Sequence, residues 1–265
     1  MRRIYFILFT ILMLCLACEW HLKPGDEDAK DDSHSVIERF DQHESLYLKT
    51  GDFSALQRMN TDYPSETRTL IENVLRIGSV DSPNINNKLR SYFQDTTLQK
   101  MIREVDVQYS DISDVDSKLQ ESFKKLKNKM PNIEIPHIYT QIGSFDQSII
   151  VGDGTLGICL DKYLGKDYPF YKKYYNEEQR MGMTRDFIVP DCLGFYLLSI
   201  YPVKPEYMDV PMRNRKHMAK IQWIVDKTLG TRYFAKLSEV KDVDQYMKKH
   251  KNISYDTLLS LDSIR

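Results

Sequence analysis

A hydrolytic metal site would draw first on the six histidines, His21, His34, His43, His137, His217 and His250. A zinc-peptidase helix needs two of them at i and i+4, so that both imidazoles reach one metal, with a Glu beside the first as general base. No two have that spacing. The nearest imitation is His43-Glu44-Ser45-Leu46-Tyr47, where Tyr stands in place of the second imidazole. The sequence therefore names no catalytic residue, no metal ligand and no cofactor. Cys159 and Cys192 lie in apolar runs, Gly157-Ile158-Cys159-Leu160 and Val189-Pro190-Asp191-Cys192-Leu193. That context favours two buried small hydrophobes, with a disulfide as the open alternative outside the cytoplasm. Asp153, Asp161, Asp167 and Asp191 fall near turns or element ends, where two carboxyls could share general acid–base work. Pro190-Asp191 also has the pattern of a helix start, with Pro in the first turn and Asp against the helix dipole.

The densest feature is Tyr163–Tyr175, YLGKDYPFYKKYY, with six aromatics in thirteen residues of a chain that is 11% aromatic. Tyrosine combines apolar area with a hydroxyl, so such a run can grip a peptide or stack on a sugar, and Lys172 and Lys173 add cation–π partners. We read a candidate partner groove framed by this segment and a helix over 189–200, with Asp161, Tyr163, Tyr168, Tyr171, Tyr175 and Asp191 as its residues. The opposing reading is that these rings plug a sheet edge and the core. The groove reading predicts that Tyr171→Ala or Tyr175→Ala weakens partner capture with the fold intact.

At the N-terminus, Arg2 and Arg3 precede the apolar stretch Ile4 to Ala17. As a helix it would span roughly 21 Å, short of the roughly 30 Å hydrocarbon core, and it reads as a secretory signal. It ends in Leu14-Cys15-Leu16-Ala17-Cys18, which resembles a bacterial lipobox. The resemblance implies cleavage before Cys18, a diacylglycerol on its sulfur and an acylated amine. Multiple acyl chains give lasting attachment, at about 0.8 kcal/mol per buried CH₂. Residues 18–35 then read as a solvated tether, acidic through Asp26, Glu27, Asp28, Asp31 and Asp32. Residues 36–265 are left as a single globular domain.

The rest of the chain must position those side chains. Of 265 residues, 42% are apolar, and 37 Lys+Arg stand against 38 Asp+Glu, for a net charge of −1. That balance excludes a disordered chain and gives no electrostatic footprint for nucleic acid. From Ser35 to Met130 the apolar spacing is helical: Leu70, Ile71, Val74, Leu75 and Ile77 form one face, Leu98, Met101, Ile102 and Val105 another, and Leu119, Phe123, Leu126 and Met130 a third. The stretch 133–160 turns β-like, with three short strands and a Gly152-Asp153-Gly154 turn. Helices return over Val189–Ile200, Lys216–Leu229 and a polar C-terminal pair. The fold class is α+β, mostly helical with a small, mostly antiparallel sheet around 133–160.

The stretch Gly157 to Tyr171, with Leu160-Asp161-Lys162-Tyr163-Leu164-Gly165 at its centre, resembles the signature of the gliding-motility lipoprotein GldB family of Bacteroidetes. Ile188-Val189-Pro190-Asp191 resembles the family's next block, and Ile37-Glu38-Arg39-Phe40-Asp41, Tyr63-Pro64 and 136–142 agree more loosely. The C-terminus departs from the family, stopping soon after a polar helix at 254–265. The resemblance implies an envelope lipoprotein anchored to a membrane by its N-terminal lipid, needed for gliding in the motile relatives and with no established enzymatic reaction; the leading expectation beside it is a non-catalytic protein that binds an envelope protein partner through the candidate groove. The resemblance also implies a degenerate zinc-peptidase-like scaffold, in which helix 189–200 stands where a zinc helix would run. An exported hydrolase using Asp153, Asp161 and Asp191, and a glycan-binding lipoprotein, remain the alternatives.

Overall fold

A computed structural model describes residues 35–205 and 210–264. Cys18, the signal segment and all but the last residue of the tether lie outside the described residues. The chain enters through β1 (Ile37–Glu38) and then runs through a long helical insertion: α1 (Phe40–Thr50), α2 (Phe53–Thr61), α3 (Pro64–Arg68), α4 (Ile85–Tyr92), α5 (Thr96–Gln108) and α6 (Ser113–Lys129). Sheet strands β2 (His137–Gln141), β3 (Ile149–Val151) and β4 (Thr155–Cys159) follow. The remainder is helical: α7 (Pro169–Tyr174), α8 (Glu177–Met181), α9 (Ile188–Ile200), α10 (Pro211–Leu229), α11 (Ser238–Lys249) and α12 (Tyr255–Ser260).

Local chemistry sets several of these boundaries. Asp52 caps α2 by accepting from Ala55 N–H (2.9 Å), and Asp95 caps α5 by accepting from Thr97 and Leu98 N–H (2.8 and 3.1 Å), so donors that a helix start leaves unpaired are satisfied. The apolar face over 70–77 is not α-helical throughout. Thr69–Val74 is a π-turn in which Leu75 N–H reaches Leu70 C=O (2.8 Å). The wider turn brings Leu70, Ile71, Val74 and Leu75 all to the core.

The sheet order is β1-β2-β4-β3. β1 with β2 and β2 with β4 are parallel, and only β3 with β4 is antiparallel. The α+β class stands, but the mostly antiparallel sheet does not. The reason is that consecutive strands need not be neighbours: the Gly152–Gly154 turn links β3 to β4 as a hairpin, and β4 then inserts between β3 and β2. β1 has two residues, too short to show a period, and its backbone is held instead by Asp116, which accepts from Val36 and Ile37 N–H (2.8 Å each).

In β2 and β4, residues at consecutive positions are buried, Ile138 to Gln141 and Leu156 to Cys159, so both faces of the sheet are covered. α1 packs against β2, and α9 against β3 and β4. Gly157 lies opposite Tyr139 across β2 and β4, and a Cβ there would sit 2.6 Å from the tyrosine ring. Cys159 and Cys192 are both buried free thiols, as their apolar contexts predict, and no disulfide joins them. The core is one continuous apolar cluster running from Ile37 to Leu259. No helix among the described residues is long and apolar enough to cross a membrane.

Candidate functional site

An open groove of 690 Å³ lies between α5 and α7. One wall is the outer side of α5, with Thr97, Lys100, Arg103 and Glu104; the other is made by Tyr168, Pro169, Phe170, Lys173 and Tyr174. Phe170 and Tyr174 form the aromatic lip, with ring centroids 4.5 Å apart. Tyr174 is 58% exposed, and the Lys173 ammonium sits 5.0 Å from its ring. The other lysine of the pair, Lys172, is ion-paired to Asp167 at 3.0 Å. Lys100, Arg103 and Lys173 outnumber Glu104, so the groove is basic as well as aromatic.

The lip rests on a strained support. Phe170 stacks on Phe145 at 3.9 Å with planes 16° apart. Phe145 is buried and has φ 66°, a left-handed backbone that a bulky residue adopts only when its surroundings impose it. The imposing contacts are explicit. Asp161 accepts from Gly143 N–H (2.6 Å) and Phe145 N–H (2.7 Å), while Phe145 C=O accepts from Lys162 Nζ (2.6 Å) and Tyr175 Oη (2.8 Å). Burial raises the Asp161 carboxyl above its ordinary range, and the two N–H donors pull it back down.

The six residues expected to line one groove are divided by the structure. Asp161, Tyr163 and Tyr171 are interior, at 0%, 1% and 0% exposure. Tyr171 Oη donates to Asp161 C=O and accepts from Leu164 N–H (3.1 Å). It is therefore a core fastener, and the expectation that Tyr171→Ala leaves the fold intact is corrected: the hydroxyl satisfies two backbone groups that water cannot reach. Tyr175 is half-buried behind the lip, holding Phe145. Tyr168 alone of the six is on the groove wall. Asp191 lies elsewhere, at the start of α9, accepting from Tyr163 Oη (2.8 Å). Burial pushes Asp191 up to about 6. It borders a small apolar pocket of 110 Å³ with Phe195, Leu198 and Phe234. Helix 189–200 thus frames that pocket and not the aromatic groove.

The Leu160–Gly165 block emerges as a set of fasteners. Leu160 fills the core, Asp161 and Lys162 hold the 143–145 loop, and Tyr163 links α9 through Asp191 while its carbonyl accepts from Tyr109 Oη (2.6 Å). Gly165, with φ 106°, turns the chain toward α7. A scan against protein families matched residues 23–229 to the family described as gliding motility protein GldB. The chain belongs to the GldB family. Membership brings association with the cell envelope as a lipoprotein family. No curated protein and no solved structure matched the chain.

The His43-Glu44 pair that imitates half of a zinc motif does other work within this GldB-family fold. His43 packs on Tyr63 with ring centroids 5.7 Å apart, and Glu44 is sealed under β2, where it accepts from Ile142 N–H (2.7 Å). Burial raises the Glu44 carboxyl well above its ordinary range. Among the described residues, no three His, Cys, Asp or Glu side chains group as metal ligands would. Lys100, Arg103 and Glu104 lie outside the segments that the sequence reading framed as a groove, Phe170 and Tyr174 lie in its aromatic segment but not among its six candidates, and Phe145, which supports the lip from beneath, was no candidate. Lys100 and Arg103 are three apart, hence neighbours on one helix face, but nothing local shows that this face meets α7. The strain at Phe145 leaves no trace in a residue type that ordinarily avoids that backbone.

Proposed function

We propose that this GldB-family protein is a membrane-anchored, non-catalytic envelope lipoprotein that docks an acidic, extended segment of a protein partner in the α5–α7 groove. The observation that carries this reading is the basic, aromatic lip of Phe170 and Tyr174, with Phe170 stacked on the buried Phe145. A packed support reduces the ordering cost of binding, and exposed tyrosine beside Lys and Arg is the composition of a binding hot spot. Lys100, Arg103 and Lys173 complement a negatively charged partner. The non-catalytic part is supported by the carboxyls: Asp161 is enclosed by backbone donors, Asp191 opens on a different pocket, and Asp153 sits on an exposed turn. The three share no cleft in which an acid and a base could flank one bond. The lipid at Cys18 would hold the groove at an envelope surface.

A photo-crosslinking residue placed at position 174, and in a separate strain at position 53, tests the assignment in intact cells. Phe53 is 75% exposed on α2 and outside the groove. The expected result is a discrete adduct from position 174, to a protein whose crosslinked segment is acidic, and none from position 53. Adducts to glycan, the same adducts from both positions, or none from position 174 would overturn the reading.

A further inference from the structure

The 110 Å³ pocket beside Asp191 lies between α9, α10 and Phe234, and it shares no residue with the α5–α7 groove. On α9, Asp191, Gly194, Phe195 and Leu198 fall at i, i+3, i+4 and i+7, so they share one helix face. Two of the four are unexpected on a face that packs against another helix. The first is Gly194, where a Cβ would meet no atom within 4 Å. Ala would fit there and is the better helix former. The second is Asp191. Among the described residues its carboxyl has one side-chain hydrogen bond, from Tyr163 Oη (2.8 Å), and the pocket lining holds no Lys, Arg or His. Gln222 is the one other polar side chain of that lining. Burial pushes Asp191 up to about 6, which still leaves it mainly ionised at pH 7.5.

A largely buried carboxylate without a cation costs stability, and so does a glycine inside a helix. Both costs fall on the same pocket, and Asn and Ala would avoid them. What the pocket lacks is a positive charge. An ammonium brings that charge, and its N–H donors suit the carboxylate oxygen that Tyr163 does not engage. Phe195 and Phe234 line the same space, and aromatic rings favour a cation over a neutral group. Size limits the rest of the ligand. A cavity of about 150 Å³ takes a benzene-sized guest, so 110 Å³ suits a group of about four or five heavy atoms. We propose that this pocket binds a small primary alkylammonium group, paired with Asp191 and with its carbon chain in the space left at Gly194.

The test is an NMR titration of the full-length protein in detergent at pH 7.5 with n-butylammonium chloride, read at the Gly194 amide signal, with n-butanol as the neutral isostere. Wild type should bind the cation at least about tenfold more tightly than the alcohol. Asp191→Asn removes the charge and relieves a buried cost, so lost binding there is not lost folding. It should weaken cation binding at least about tenfold and leave the alcohol unchanged. Gly194→Leu should fill the space and weaken both, with the circular dichroism spectrum unchanged. Nα-acetyl-lysine methylamide separates the two sources of this chemistry: tighter binding than n-butylammonium names a lysine side chain of a peptide, and weaker binding a free amine. Equal binding of cation and alcohol overturns the proposal. So does cation binding that survives Asp191→Asn or Gly194→Leu, or no binding of either ammonium.

Discussion

Replacing Asp191 by Asn isolates one buried charge and predicts a gain in stability whose size depends on pH. Asp191 sits at the start of α9 with its carboxyl accepting from Tyr163 Oη (2.8 Å), and burial pushes it from the ordinary aspartate value of 3.8 up to about 6. An acid whose pKa is raised in the folded state stabilises that state while protonated, and the contribution is lost as pH rises through the folded value. The difference between 3.8 and about 6 corresponds to about 3 kcal/mol lost between pH 4 and pH 7. Part of the carboxyl remains solvent-exposed, so about 3 kcal/mol is a ceiling. Asn keeps the oxygen that Tyr163 needs and cannot ionise. Urea unfolding followed by circular dichroism at pH 4, 5, 6 and 7.5 should therefore give near-equal stabilities at pH 4. At pH 7.5 the variant should lead by about 1–3 kcal/mol. Glu44 and Asp161 are raised in the same direction, so both proteins lose stability toward high pH, and only the difference between them reports Asp191. A variant less stable than wild type at pH 7.5, or a difference that does not change with pH, would refute the reasoning.

The remaining predictions follow from the same interior. Asp161→Asn leaves one of the Gly143 and Phe145 N–H donors facing an amide NH₂, and should cost about 1–3 kcal/mol in urea unfolding, together with loss of the Phe145–Phe170 stack in near-ultraviolet circular dichroism. Gly157→Ala drives a Cβ into the Tyr139 ring across the sheet and should cost about 1–3 kcal/mol, relieved when Tyr139 is also shortened to Leu; an additive pair of costs would contradict the clash. Membrane-purified protein should have an intact mass that begins at Cys18 and carries acyl chains. A chain starting at Cys18 without lipid mass would sink the anchor.

The helical faces were legible because burial there follows a 3.6-residue period: Met101, Ile102 and Val105, and Leu119, Phe123 and Leu126, are core residues as their spacing predicts. The GldB-type block at 160–165 was legible as a motif, but its role was not. Asp161 and Tyr171 have the chemistry of a binding site and act as backbone fasteners, because a buried polar group is defined by which N–H and C=O groups the distant chain brings to it. Strand pairing was the other loss. β1 is two residues long, and β4 leaves its hairpin to pair in parallel with β2, a choice made by the whole packing and not by any turn residue. The groove itself joins α5 to α7 across about sixty residues of sequence, beyond the reach of any local pattern.

The most direct test of the docking claim is the yield of the position-174 crosslink in a protein carrying Arg103→Glu and Lys173→Glu. Both side chains are exposed on the groove, and such surface changes ordinarily alter stability by no more than about 0.5 kcal/mol. The account predicts that the adduct falls at least about tenfold, the loss expected when two rim charges oppose an acidic partner, while unfolding is unchanged. An undiminished adduct would contradict it.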